Sequence, residues 1–166
     1  MKVLTILSLI TLIFSAIQKG EAWRRSTILV GADDVLSKVY LNDNEIDLSS
    51  VEHLSIYTTV KKFDLVLFTN DELKFVVKNK NPVSFLDNAG LAVKILYKDQ
   101  FGNEKTIETN LKDWTCNGKT PVSKRVVKGL LNYPTWANQG LYDVLVIWND
   151  EDTSEATCRV VIPKLD

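Results

Sequence analysis

The chain has 166 residues, with 20 lysines and arginines against 21 aspartates and glutamates, so its formal net charge at pH 7 is −1. A charge this close to zero gives no reason to expect nucleic acid or an anionic membrane as a partner. The length is typical of one domain, and no internal repeat, linker or low-complexity segment divides it.

The N-terminal segment has the layout of a secretory signal peptide. Lys2 gives it a positive start, and residues 3–17 form an apolar run that falls short of the roughly 20 residues a membrane span needs. Small residues then occupy the minus-three and minus-one positions of a cleavage site before Trp23. We therefore predict a signal peptide over residues 1–22, a single domain over residues 23–166, and a secreted, extracellular protein without a membrane span. A retained signal anchor is the alternative.

Alternation of apolar and polar residues with a period of two dominates residues 23–166, which predicts strands that each bury one face. Clusters of asparagine, aspartate, glycine and proline separate the candidate strands and favour turns. Short strands separated in this way predict an all-β fold, a single antiparallel β-sandwich or jelly roll. In chain order, the candidate strands are Val35–Leu41, Leu54–Val60, Asp64–Phe68, Leu73–Val77, Leu91–Tyr97, Glu104–Thr109, Leu141–Trp148 and Cys158–Ile162.

Two adjacent carboxylates, Asp33 and Asp34, stand immediately before the first of these strands. Oxygen ligands from aspartate, asparagine and backbone carbonyl groups are what calcium requires, and Asn42 and Asp43 would add to such a set. Asp33 and Asp34 are therefore the candidate residues for a structural calcium ion. A turn cap, or no special role, is the alternative.

The segment around Tyr133, Trp136 and Asn138 reads as a loop and combines aromatic rings with planar polar groups. A sugar ring has an apolar face that stacks on aromatic side chains and hydroxyl groups that pair with amides, and exposed loops are where a sandwich places its binding residues. These three residues are the candidate ligand-binding site. Equally, Trp136 can plug one end of the sandwich. Trp114 and Trp148 stand among strand-type residues, so we predict that both belong to the core.

The chain has two cysteines, Cys116 and Cys158, and both follow the predicted cleavage site. An even count in an exported chain favours a disulfide between them, with two buried free thiols as the alternative. A zinc site is not expected, because there is no Cys-x-x-Cys motif and His53 is the single histidine.

The order of several motifs resembles the galactose-binding-domain-like family of jelly-roll modules. The matching pieces are residues 32–46 with the opening strands, residues 71–94 with the central hairpin, Thr109–Cys116 with a tryptophan-containing segment, and Ile147–Asn149 followed by Cys158–Val160 with the closing strand pair. The chain departs from the pattern at residues 42–44, where the family's Asn-Gly turn has lost its glycine. Such modules commonly occur in extracellular lectins, in carbohydrate-binding appendages of glycosidases and in adhesion proteins. The resemblance thus implies a carbohydrate or glycoprotein partner, although a fold alone establishes no function.

No motif for catalysis stands out. The sequence contains no Gly-x-Ser-x-Gly, His-Glu-x-x-His or glycine-rich phosphate loop, and His53 stands at the start of a candidate strand. We therefore predict a non-enzymatic secreted module that binds carbohydrate without a cofactor, other than the candidate calcium ion. One alternative is a structural or protein-interaction component of a matrix, slime or venom. Another is a secreted hydrolase or toxin, because sequence does not reveal how far apart two carboxylates lie.

Overall fold

The computed structural model of the chain describes residues 22–79, 89–127, 134–149 and 154–165. Its strands are β1 (Trp23–Asp33), β2 (Val35–Leu41), β3 (Asn44–Glu45), β4 (Lys61–Phe68), β5 (Glu72–Lys78), β6 (Gly90–Lys98), β7 (Glu104–Glu108), β8 (Trp114–Cys116), β9 (Val122–Val126), β10 (Leu145–Trp148) and β11 (Glu155–Val161). A helical turn, α1 (Pro134–Trp136), continues into a wider turn over Ala137–Leu141; together they are called the 134–141 segment.

The strands form two antiparallel sheets. Sheet A has the order β4-β1-β6-β10-β9, with β7 also paired to β6, and sheet B has the order β3-β2-β5-β11-β8. The buried faces of both sheets contribute to one hydrophobic core. This arrangement confirms the predicted all-β antiparallel sandwich. Within the described residues, no helix is long and apolar enough to cross a membrane.

The core between the sheets contains the predicted tryptophans. Trp114 and Trp148 are 1 % and 2 % exposed, which confirms that both are core residues. The ring of Trp114 packs 5.8 Å from the ring of Phe75, and its indole N–H donates to the backbone oxygen of Glu108 at 3.0 Å. A buried indole thus contributes apolar area while its one donor stays satisfied.

The predicted disulfide is confirmed, because Cys116 and Cys158 are joined by a bond between their sulfur atoms. The two residues are direct partners in the antiparallel ladder of β8 and β11. The bond therefore ties β8, an edge strand of three residues, to the longer strand beside it.

The turn between β2 and β3 is built without glycine. Asn42 and Asp43 have φ angles of 49° and 66°, and Leu41 pairs with Asn44 across them. Asparagine and aspartate tolerate positive φ better than other residues with side chains, and positive φ at both central positions is what a two-residue type I′ hairpin requires. This hairpin therefore forms without a glycine.

The predicted strand Leu54–Val60 is wrong, since residues 51–60 form turns and β4 begins at Lys61 rather than at Asp64. Side chains of the 134–141 segment satisfy the backbone of this loop instead of a neighbouring strand. Gln139 accepts a hydrogen bond from the Val60 N–H at 2.9 Å and donates one to the Thr58 oxygen at 3.1 Å. Leu54 and Val60 are partly buried without belonging to a strand, whereas Ile56 and Tyr57 are exposed.

The predicted strand Leu141–Trp148 is too long at its start, because the strand begins at Leu145. Leu141 closes the 134–141 segment, and Asp143 follows with a φ of 63°, which no regular strand contains. A buried leucine in a turn and a buried leucine in a strand look alike in sequence.

Strand β1 escaped prediction because Ile28 to Ala32 is apolar on both faces. One face, with Ile28 and Val30, belongs to the core between the sheets. The other face is covered by a second cluster in which Leu29 packs with Trp136 and Leu141 of the 134–141 segment. A strand buried on both sides loses the period-two signal.

Candidate binding site

The residues proposed from sequence for ligand binding do not form one exposed patch. Trp136 is fully buried, and its indole N–H donates to the backbone oxygen of Tyr57. Its ring is therefore not available for stacking on a ligand in this structure, and its burial fits the alternative of a packing role. Asn138 is exposed on the 134–141 segment, and Tyr133 lies outside the described residues.

The four candidate calcium ligands do not come together either. Asp33 and Asp34 precede β2, whereas Asn42 and Asp43 follow it. A strand of this length separates its ends by roughly 20 Å. One ion cannot bind all four residues, and no group of three or more histidine, cysteine, aspartate or glutamate side chains in the described ranges is placed to hold a metal.

Asp33 lies instead in the electrostatic field of a buried cation. Lys61 is 1 % exposed, and its ammonium donates to the backbone oxygen of Ile56 at 2.8 Å. Burial lowers the pKa of Lys61 from 10.5 to about 8, and the carboxylate of Asp33 acts in the opposite direction. Burial disfavours the charged form of an amine and a nearby carboxylate favours it, so Asp33 offsets part of the cost of burying Lys61.

An open groove lies on the outer face of sheet A, the face turned away from sheet B. It has a volume of about 520 Å³. Thr27 of β1 is opposite Leu96 of β6, and Lys98 of β6 is opposite Glu104 of β7. Residues directly opposite in a ladder point to the same side, so three strands present side chains to one surface. The lining residues are Arg25, Thr27, Leu96, Tyr97, Lys98 and Glu104.

The charged side of the groove is held by an ordered contact with β4. The Thr27 hydroxyl donates to Asp64 at 2.7 Å, and the Arg25 guanidinium lies 3.3 Å from the other carboxylate oxygen. The Thr27 hydrogen bond is the main reason that the pKa of Asp64 lies below its usual range, with Arg25 adding to it against the effect of burial. Asp64 thereby pairs with Arg25, whose side chain remains 79 % exposed.

A rigid turn bounds the groove where β6 passes into β7. One carboxylate oxygen of Asp99 accepts from the backbone N–H groups of Phe101 and Asn103, both at 2.9 Å, and the other accepts from the Asn103 side chain at 3.0 Å. These bonds, that from the Asn103 side chain above all, hold the pKa of Asp99 below its usual range. The turn presents Phe101 with 79 % of its surface exposed. Phe101 is therefore accessible to a ligand or partner at this end of the groove.

Sequence reasoning missed the groove because its lining residues come from strands that are distant along the chain. One local signal was present: Phe101 is a large apolar residue within the turn that was predicted from its polar neighbours at residues 99–103. Trp23 is a second large apolar residue exposed to solvent. It is 40 % exposed and lies on the same face of β1 as Arg25 and Thr27.

Comparison with known proteins found no matching family model, no matching curated protein and no matching solved structure. The resemblance to galactose-binding-like modules therefore stays a prediction.

Proposed function

We propose that the protein is a secreted, non-catalytic module that binds carbohydrate or the glycan of a glycoprotein in the groove on the outer face of sheet A. The observation that carries the proposal is the composition of the groove. Its volume of about 520 Å³ falls in the range of about 300–1,000 Å³ typical of small-ligand sites. Its lining joins the aliphatic side chain of Leu96 to cationic, anionic and hydroxyl groups.

A sugar ring needs both kinds of contact at once. Leu96 supplies apolar surface for the C–H face of a ring, whereas the Tyr97 side chain packs toward the core between the sheets. Arg25, Lys98 and Glu104 supply donors and acceptors for hydroxyl groups. Because Asp64 already pairs with Arg25, binding a ligand there costs less side-chain entropy than recruiting a loose arginine.

The charges around the groove favour binding over hydrolysis. Glycosidases place two carboxyl groups about 5–9.5 Å apart across the bond they break. Among the lining residues Glu104 is the one carboxylate. The nearby Asp64 is engaged by Thr27 and Arg25, which keeps it ionised and unsuited to act as a general acid.

The disulfide supports an extracellular location for this binding. Cys116 and Cys158 are joined, and disulfides persist in oxidising compartments but are rare in the cytosol. Export through the predicted signal peptide of residues 1–22 would deliver the protein to such a compartment.

The proposal is tested by comparing the binding of the wild-type protein and of two arginine variants to a glycan array. Arg25→Ala removes the groove's guanidinium. Arg159→Ala is its matched control, because Arg159 lies on the outer face of sheet B and pairs with Glu72 at 3.1 Å, much as Arg25 pairs with Asp64. A charged hydrogen bond is worth roughly 1.5–3 kcal/mol, so we expect Arg25→Ala to weaken binding about tenfold or more and Arg159→Ala to leave it unchanged.

Two results would count against the proposal. One is a folded protein that binds no glycan, and the other is equal binding by both variants, which would move the ligand away from the groove. Repeating the array with calcium and with a chelator tests the metal prediction separately. A calcium requirement would support an ion at Asp33 and Asp34, at the other end of β1 from the groove.

A further inference from the structure

Strand β4 lies at an edge of sheet A, with β1 on one side and no described strand on the other. The Thr69 N–H donates to the Ala22 oxygen at 3.2 Å, in register with the pairing of β4 and β1. Backbone groups alternate in direction along an antiparallel strand. Odd-numbered residues of β4 therefore bond to β1, while the N–H and C=O groups of Lys62, Asp64 and Val66 point away from the sheet.

Contacts among the described residues close this edge at both ends but not in the middle. The Val60 N–H donates to the Gln139 side chain at 2.9 Å. At the other end, the Phe68 N–H donates to the Asp71 carboxylate at 2.7 Å, and the Phe68 oxygen accepts from the Asp71 N–H at 3.2 Å. Three residues in the middle are left as a template for another strand.

The charges on these residues select both the partner and the register. Lys62 and Asp64 are exposed and share the outer face of sheet A. If two copies of β4 pair about a two-fold axis at Phe63, Lys62 of each copy stands opposite Asp64 of the other. This register joins residues whose backbone groups are open and places opposite charges across the strands, which is favourable.

The two neighbouring registers of the pairing between β4 strands are less favourable. An axis at Asp64 would put two aspartates directly opposite each other, and like charges in that position are destabilising. An axis at Leu65 would put Asp64 opposite Val66, so that register would have no ion pair between opposite residues. The axis at Phe63 also brings the two half-buried Phe63 rings together at the edge of the core.

We propose that the protein forms a two-fold homodimer through antiparallel pairing of β4 with β4 of a second copy, centred on Phe63 and selected by reciprocal Lys62–Asp64 ion pairs. The interface is isologous, as a two-fold axis demands. The groove is lined by other residues, but Asp64 contacts two of them, Arg25 and Thr27.

Reversing the charges of Lys62 and Asp64 tests the dimer, and the test needs no ligand or partner protein. The full chain is expressed in a secretory host, the exported polypeptide is weighed by mass spectrometry, and its mass in solution is measured by light scattering over a range of concentrations. We expect a solution mass twice that of the polypeptide at the higher concentrations. Lys62→Asp and Asp64→Lys should each weaken the dimer at least tenfold, because each puts like charges opposite each other.

The double variant Lys62→Asp/Asp64→Lys should recover the dimer, since the exchanged charges are again complementary. Lys78→Asp is the matched control, a reversal of an exposed lysine on sheet B, and should keep the wild-type mass. Near-ultraviolet circular dichroism, which reports on the buried Trp114 and Trp148, checks folding. Lys62→Asp is the single variant that disturbs the protomer less, because Asp64→Lys also removes the hydrogen bond that Thr27 donates to Asp64.

A wild-type protein that is monomeric at every concentration would overturn the dimer. Single variants that keep the wild-type mass, or a folded double variant that stays monomeric, would overturn the proposed pairing.

Discussion

The ring of Trp136 lies so close to Gly31 that a Cβ atom at residue 31 would stand 2.6 Å from the Cε3 atom of the ring. Gly31 lies two residues before the end of β1, and the absence of a side chain there lets the 134–141 segment pack on the outer face of sheet A. Trp136 in turn holds the loop of residues 51–60 through the backbone oxygen of Tyr57. One glycine therefore permits the packing of two segments on the sheet.

The first prediction concerns this contact. Gly31→Ala should lower the free energy of unfolding by about 1–3 kcal/mol, the usual cost of overpacking a well-filled site. The free energy is measured by urea unfolding. The cost should shrink in a Trp136→Leu background, because the smaller side chain leaves room for the added methyl group, and contacting residues are not additive. An equal cost in both backgrounds would show that the contact with Trp136 is not its source.

A strand of this fold is predictable from sequence when one of its faces is buried and the other is exposed to solvent. β5, β6 and β11 were predicted because apolar and polar residues alternate along them. β1 was missed because the 134–141 segment covers its second face. Apolar and polar residues alternate with a period of two when one face of a strand is buried and the other is solvated. A strand covered on both faces does not show this alternation.

The disulfide, the groove and Trp136 differ in how far the sequence predicts them. The pairing of Cys116 with Cys158 was predictable because the chain offers no other partner. The groove was not, because only the ladder register places Thr27 beside Leu96. Trp136 shows that residue type alone does not separate a binding aromatic from a packing one. Its burial is decided by Gly31, a residue far away in sequence.

The second prediction concerns the pH dependence of stability. The pKa of Lys61 is about 8 in the folded protein and 10.5 in its ordinary state. Between these values the unfolded chain holds the proton more firmly than the folded chain, so removing protons favours folding. The free energy of unfolding should therefore rise through this window, by up to roughly 3 kcal/mol. That contribution is absent below about pH 8.

Variants separate Lys61 from other groups that titrate in the same window. Lys61→Met should remove this rise, so the difference between its pH profile and that of the wild type is the quantity to measure. Asp33→Asn should shift the onset of the rise to lower pH, because the Asp33 carboxylate raises the pKa of Lys61. Parallel profiles for wild type and Lys61→Met, from urea unfolding at each pH, would contradict the assignment.

The third prediction concerns the disulfide. The bond between Cys116 and Cys158 closes a chain segment with a sequence separation of 42 and anchors the short edge strand β8. Replacing both cysteines with alanine should lower the free energy of unfolding by about 2–5 kcal/mol. A reducing agent should destabilise the wild type in urea and leave the double variant unaffected. If the variant matched the oxidised wild type, the bond would not contribute to stability.

The fourth prediction separates recognition from stability at the turn between β6 and β7. Phe101 is 79 % exposed, so Phe101→Ala should leave the free energy of unfolding within about 0.5 kcal/mol of the wild type. The turn joins Lys98 and Glu104, both of which line the groove, so the same change should weaken binding to a glycan identified on the array several-fold. Leu111→Ala, a change at another exposed apolar residue, is the control and should not alter binding. If the two variants bound alike, the exposed ring would have no part in recognition, and the groove would end at Lys98 and Glu104.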